Sequence, residues 1–336
     1  MITITETGPG HADFPLFTEL PKRIYPPDSL RFKTPDTIPT DFLRACYLLK
    51  DGENVVARAS IYDNPLLQYA GRHAFSIGNY ECADGGEYAA TLLGHIASVV
   101  KSWGGGWLIG PMNGNTWEGY RFLADHHNPL FFTEHYHHLY YNTQFKTAGF
   151  GPIAQYYSNI DHGLEPDNPE ILARERAFER MGVKIRPIDL TNFEAEIGRV
   201  YDFNLLAFKT NFLYTPISRE AFMKKYLQTK TYINPGLTLL AEDSAGNLLG
   251  YFFCIHDFYN TESKSLIVKT LARHPGPEWR GLGHVIGNVI YRNAVELGYT
   301  SAIHSFIYEQ GTSTQLSTHF SGTHYRNYIL YGKHIA

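Results

Sequence analysis

Two amphipathic helices, each stopped by glycine and each followed at once by a short apolar strand, constrain this chain more than any other feature. In the first, Ala89, Leu92, Leu93, Ile96, Ala97, Val100 and Trp103 fall on one helical face, and Gly104-Gly105-Gly106 ends the run before Trp107-Leu108-Ile109. In the second, Leu282, Val285, Ile286, Val289, Ile290, Ala294 and Leu297 repeat that face, Gly298 closes it, and a strand from Ser301 to Ile307 follows. A hairpin precedes each. Arg44 to Ile61 holds two apolar runs around Lys50-Asp51-Gly52-Glu53-Asn54, with its Asp-Gly turn signal; Leu237 to Glu242 and Leu248 to Phe258 flank Asp243-Ser244-Ala245-Gly246-Asn247. A third strand, Ala74 to Tyr80 or Ser265 to Arg273, lies between hairpin and helix. The order hairpin, strand, loop, helix, glycine stop, strand thus occurs twice, and it predicts two copies of one α+β unit.

A length of 336 residues suits two domains. Asp161 to Pro169 is polar and turn-rich, with Gly163, Pro166 and Pro169, and sets the boundary between residues 1–165 and 166–336. The first forty residues carry Pro15, Pro21, Pro26, Pro27, Pro35 and Pro39, which predicts an extended arm wrapping the first domain. In the second half a helix from Glu170 to Met181, a strand from Val183 to Ile188, a helix capped by Thr191 or Asn192 and another beginning near Ser218 precede the hairpin.

Composition removes several functions. The net charge of −4 gives no overall basic field for DNA. The longest apolar run, Leu92 to Val100, is stopped by Lys101, far short of the roughly 20 residues of a membrane span. Met1 to Gly10 has no secretory pattern, so a cytoplasmic location is expected. Cys46, Cys82 and Cys254 lie far apart, which removes a disulfide framework and a zinc knuckle and predicts buried thiols. Aromatic residues reach 15%, suited to thick core packing or to an apolar groove.

Chemistry concentrates in His274-Pro275-Gly276-Pro277-Glu278-Trp279-Arg280-Gly281-Leu282-Gly283-His284, between an apolar strand and the second amphipathic helix. Gly281 and Gly283 remove side chains where a helix begins and its first amides point at the positive end of the dipole, a cradle for a pyrophosphate. Neither a dinucleotide fingerprint nor a P-loop fits: Ile286 stands where the third glycine of the former belongs. With the preceding strand Leu266 to Ala272, the segment resembles the acyl-CoA pyrophosphate loop of the GNAT acyltransferase superfamily, [QR]-x-x-G-x-[GA]. Gly281 and Gly283 match, and Glu278 replaces the usual Gln or Arg. Gly110-Pro111-Met112-Asn113 and Asn211-Phe212-x-x-Thr215-Pro216 are similar to segments of bacterial tandem GNAT proteins.

The resemblance implies two tandem GNAT-like units, each a twisted mixed sheet flanked by helices, with acetyl-CoA or a longer acyl-CoA as donor in the second. Leu271, Ala272, Arg273, Arg280, Gly281, Leu282, Gly283 and His284 would meet the donor. The first-half turn Glu81-Cys82-Ala83-Asp84-Gly85-Gly86-Glu87 carries three acids that would repel a pyrophosphate, marking a degenerate copy. Transfer by direct attack of an amine on the thioester needs a base and an acid. His256, Asp257 and Glu309 are the candidate bases. The usual acid is the tyrosine of N-x-x-A-x-x-x-Y, but the aligned stretch from Ser313 ends on Phe320, so Tyr325, Tyr328 or Tyr331 would substitute, Tyr325 foremost. The acceptor is a small-molecule, peptide or lipid amine; the acidic balance suits a cationic one and the aromatic excess an apolar one. His135-x-His137 on a strand would put both rings on one face, yet no thiolate accompanies them, so a polar patch near the domain junction is expected rather than a metal site. Two alternatives stand beside acyl transfer: an acyl-CoA-binding regulatory protein, which Glu278 and the missing tyrosine permit, and an aminoacyl-tRNA-dependent transferase, which needs a basic groove.

Overall fold

The computed structural model describes residues 1–311, 317, 320 and 322–335. The first half runs β1 (Ile2–Thr7), α1 (Phe14–Glu19), α2 (Pro21–Ile24), β2 (Leu43–Asp51), β3 (Asn54–Tyr62), β4 (Gln68–Tyr69), β5 (Arg72–Cys82), α3 (Gly86–Ser102), β6 (Trp107–Gly110), β7 (Phe122–Leu123), α4 (Tyr140–Thr147) and β8 (Gly151–His162). The second runs α5 (Pro169–Arg180), β9 (Lys184–Pro187), α6 (Phe193–Ala207), α7 (Arg219–Leu227), β10 (Thr238–Glu242), β11 (Leu248–His256), β12 (Ser265–Arg273), α8 (Leu282–Glu296), β13 (Ser301–Tyr308) and β14 (Thr323–His334).

Local chemistry accounts for these elements. Gly52 adopts a left-handed conformation in the tight turn that pairs Asp51 with Asn54. In the other hairpin Asp243 Oδ1 accepts from the amides of Ala245 and Asn247. Ser218 caps α7 by accepting from the Ala221 amide.

The strands form one continuous sheet in the order β1-β2-β3-β5-β6-β14-β8-β13-β12-β11-β10-β9, with β4 on β5 and β7 on β14. The order is a palindrome of equivalent strands. In each half an antiparallel run ends in a parallel pair, β5 with β6 and β12 with β13, the pair that a crossover helix must join. The last strands of the two halves change places: β14 pairs with β6 of the first half and β8 with β13 of the second. They lie antiparallel along the centre, from Thr323 opposite Ile160 to Gly332 opposite Gly151. The repeated unit therefore exists, and each copy is completed by a strand from the other.

Helices cover both faces. In the first half α3 and α4 pack Leu92, Leu93, Ile96, Tyr141 and Phe145 onto the sheet. In the second, α8 and α5 cover one face through Val285, Ile286, Ile290 and Ile171, and α6 and α7 cover the other through Phe203 and Phe222. All three cysteines are buried.

The N-terminal forty residues are not the plain extended arm that their prolines predict. Pro15 and Pro21 open short helices at positions where no amide hydrogen bond is required, and β1 adds an edge strand to β2. Phe17 and Leu20 pack against Cys46, Leu48 and Val55. Ion pairs of buried arginines then fasten the segment: Arg31 meets the partly exposed Asp36 and the buried Glu81, and Arg58 meets Asp36. Glu81 is thereby neutralised within β5, so only Asp84 and Glu87 face solvent at the turn expected to repel a pyrophosphate.

Candidate active site

In a parallel pair that splays apart, strand edges are left for other groups to fill, and both halves have such a notch. In the second half the pairing runs from Ser265 opposite Ser301 to Val268 opposite His304 and then stops. Lys269 is an extra residue at that point, because β11 steps from a partner at Val268 to one at Thr270 between consecutive residues. Ser305 Oγ donates to the Val268 carbonyl at 2.8 Å and holds the apex of the notch.

Residues 274–281 then cross from β12 to α8. Arg273 braces this loop by donating to the carbonyls of His274 and Gly276, and His274 Nδ1 accepts from the Gly276 amide at 3.1 Å. Gly281 caps α8 with φ +91°, a conformation that disfavours a side chain, and a Cβ there would lie 2.7 Å from Arg174 Nη1. Among the described residues nothing accepts a hydrogen bond from the Gly281, Leu282 or Gly283 amide. Three donors thus converge at a helix N-terminus with Arg174 beside them and Arg280 exposed on the same loop. Glu278 opposes them, its carboxylate folded against Gly276. Arg174 is shared with Glu170 at 2.6 Å, so the three amides and the exposed Arg280 carry most of the attraction, and the loop suits a diphosphate. Arg174, on α5, was not legible in the sequence, since only the fold brings α5 to the start of α8.

The notch of the first half is filled by the chain itself. The Met112 amide donates to the Ile77 carbonyl at 2.7 Å, and Asn113 Oδ1 accepts from the Asn79 amide at 2.9 Å. A Cβ on Gly110 would sit 3.1 Å from both Ile77 and Phe145. The Gly110-Pro111-Met112-Asn113 motif is thus an internal plug. It continues into the second half: Trp117 Nε1 donates to the Thr215 carbonyl, and Asn64 Nδ2 donates to Thr215 Oγ1. Asn64 and the loop after the plug thus meet the second tandem-protein motif across the junction.

The proposed donor residues gather as the sequence spaced them. Leu271 packs against Gly283, Ala272 is buried toward α6, and His284 lies in the first turn of α8. The proposed bases are dispersed. His256 pairs with Leu266 at the closed end of the strands, about 20 Å along β11 from Gly250 beside the loop. Its ring meets Phe258 and Tyr299 edge-on. Asp257 is buried; its Oδ1 accepts from the Phe132 and Tyr259 amides, and burial raises its carboxyl above the usual range. It anchors the 131–135 segment over the second half. Glu309 follows β13 at the open end and its amide donates to the Gln155 carbonyl. The Tyr325 hydroxyl donates to the Pro129 carbonyl at 2.8 Å, and burial pushes the phenol up to about 12. Tyr328 donates to Glu134 and Tyr331 to Asn142. The motif position at Ser313 lies outside the described residues.

The histidine segment differs from its sequence expectation. Residues 135–138 form no strand. His137 is buried rather than part of a surface patch: Nε2 accepts from the Leu123 amide at 2.6 Å and Nδ1 donates to the His138 carbonyl. Burial holds that ring neutral, lowering its pKa to about 3. His135 is instead an exposed residue whose surroundings are cationic, and its pKa is lowered by desolvation first and then by Lys269, Arg31 and Arg121. Among the described residues no three metal-ligating side chains come together.

No family model matches the sequence, and neither does any curated protein. The fold does match solved structures. The chain is similar to the GCN5-related glucosamine N-acetyltransferase region of a fungal multi-domain GH3 β-N-acetylglucosaminidase, at 11% identity and a TM-score of 0.58, over 99% of this chain and 38% of that one. It therefore spans well under half of that protein. A GCN5-related N-acetyltransferase from Sphaerobacter thermophilus matches at 13% identity and a TM-score of 0.54, over 99% of this chain and 96% of that one. A tandem GNAT protein from the clavulanic acid biosynthesis pathway matches at 11% identity and a TM-score of 0.53, over 100% and 99%. The architecture is that of the tandem GNAT fold. No helix among the described residues is long and apolar enough to cross a membrane.

Proposed function

We propose that the chain is an acyl-CoA-dependent N-acyltransferase whose second unit holds the donor. The observation that carries this reading is the asymmetry of the notches: one is plugged by Met112 and Asn113, the other opens beside three unpartnered amides at the start of α8. In this reading the chain divides at 165/166, between β8 and α5, into a donor-free copy and a donor-binding one. The donor, when bound, supplies an acyl group activated as a thioester.

Gly281, Leu282 and Gly283 would hold its diphosphate through their amides, with Arg174 and Arg280 adding charge and His284 following in the same turn. The edge of β12 from Leu271 to Arg273 would offer backbone groups to the rest of the donor. An ammonium acceptor must lose a proton before attack. Glu309 is the candidate base at the open end, since Asp257 is engaged with two amides and His256 lies at the closed end. Acyl-CoA is an intracellular metabolite, so a cytoplasmic setting belongs to the same reading, and the acceptor is an amine of small-molecule, peptide or lipid origin.

Calorimetric titration with coenzyme A, acetyl-CoA and palmitoyl-CoA tests it, beside Gly283→Asp and Gly283→Ala. A Cβ at Gly283 would lie 3.2 Å from Leu271 Cδ2, so the alanine variant isolates the steric effect. Binding to wild type that Gly283→Asp abolishes and Gly283→Ala largely keeps is the expected result. Equal affinity in wild type and Gly283→Asp removes the loop from the site. No binding by any of the three ligands removes the reading, and aminoacyl-tRNA becomes the donor to test.

A further inference from the structure

Two cations at the junction of the halves have no carboxylate partner among the described residues: Lys269, at the apex of the open notch, and Arg121, on the loop that follows the plug. They share one ring. Lys269 Nζ lies 5.0 Å and Arg121 Cζ 4.3 Å from the centroid of Phe306. Arg121 is boxed further by Tyr120 at 3.9 Å and Tyr156 at 4.7 Å, which fix its plane. Thr133 Oγ1 accepts from Lys269 at 3.4 Å, and His135, an exposed residue, follows two positions on.

The neighbouring charges are engaged elsewhere. Lys225 pairs with Glu118 at 2.7 Å and Arg31 with Asp36 and Glu81; Glu134 turns Oε1 to Arg326 and the Tyr328 hydroxyl, while its Oε2 is buried without a hydrogen-bond partner and burial raises its carboxyl to about 7. Two half-buried like charges without a counter-ion disfavour the empty fold, yet the backbone is shaped around them. Arg121, Thr133 and Phe306 are three of the nine described non-glycine residues with positive φ, at 76°, 76° and 58°. Burial, then Arg121 and Lys225, brings the Lys269 ammonium down to about 8, so it remains mostly charged at neutral pH.

We propose that this cleft receives an anionic group of the acceptor, so that the substrate is an amine that also carries a carboxylate or a phosphate. The amine half of that statement rests on the acyl-transfer reading; the anion half stands on Lys269 and Arg121. It reverses the expectation of a cationic acceptor drawn from overall charge, because local unpaired charge rather than the net value faces the cleft.

The test is a calorimetric panel of paired ligands differing in one charge: amino acids against their α-amides, and amino-sugar phosphates against the free amino sugars. It is run on the full chain as wild type, Lys269→Met, Lys269→Arg and Arg121→Gln, with thermal melts to confirm folding and a coenzyme A titration of each sample. At least one anionic amine should bind wild type tenfold or more tightly than its neutral partner. Lys269→Met and Arg121→Gln should each erase most of that preference, Lys269→Arg should restore part of it, and coenzyme A affinity should be unchanged in all. The carboxylate and phosphate arms identify the anion. Equal binding of neutral partners, an undiminished preference in folded Lys269→Met, or no binding by any anionic amine would overturn the proposal. Anion binding without coenzyme A binding would instead remove the acyl-transfer reading and leave the anion site standing.

Discussion

The two halves build the same notch and treat it oppositely. From β5 to α3 the chain crosses in three residues, 83–85, whereas from β12 to α8 it uses eight, 274–281. The short crossover leaves no loop to wrap an anion, and Asn113 occupies the amide of Asn79 that a ligand would otherwise meet. The long one ends in a left-handed glycine with free amides. A duplicated fold thus keeps its packing while loop length and one plugging side chain set the two notches apart.

Breaking the first half should cost stability without touching the donor site. The largest effect is expected for Glu81→Ala, which leaves Arg31 and Arg58 buried without that acid and should lower unfolding free energy by about 3–5 kcal/mol. Urea unfolding measures it, and coenzyme A affinity of the folded fraction should match wild type. Asn113→Ala is expected to cost about 1–3 kcal/mol by baring the Asn79 amide, again with unchanged donor affinity. A fall in coenzyme A affinity in either variant would couple the two notches.

A titration compares the halves through one histidine of each. His137 in the first and His304 in the second are held neutral by burial, with pKa values lowered from 6.5 to about 3 and about 4. The unfolded chain therefore binds more protons between those values, so the stability they contribute is complete above pH 6.5 and lost as pH falls toward 4 and 3. Melting temperature against pH should decline over that window, and His137→Gln should flatten part of the decline. Lys269→Met shifts stability in the opposite direction. Because the folded pKa of about 8 lies below the usual 10.5, the variant should be more stable than wild type below pH 8, with the gain fading by pH 10.5. A loss of stability at pH 7 would mean that Lys269 has a partner in the fold.

Much of this was written in local pattern. Turn residues, helix faces and glycine stops placed the hairpins, α3, α8 and the strand Ser265–Arg273 because each depends on neighbours within one turn or one strand pair. The strand β8 escaped because its buried positions carry Ser158, Asn159 and Asp161, polar groups satisfied only by partners from the other half. The exchange of β8 and β14 has no local signature at all. The same division holds at the site: the glycine loop was legible, whereas Arg174, Arg121 and Lys269 gain their meaning from elements far apart in sequence.

Hydrogen–deuterium exchange of the full chain with and without saturating coenzyme A tests the asymmetry most directly. The account predicts protection of amides in residues 269–285 and unchanged exchange in residues 77–90. Protection of the first-half notch, or none at the glycine loop despite binding, would contradict it.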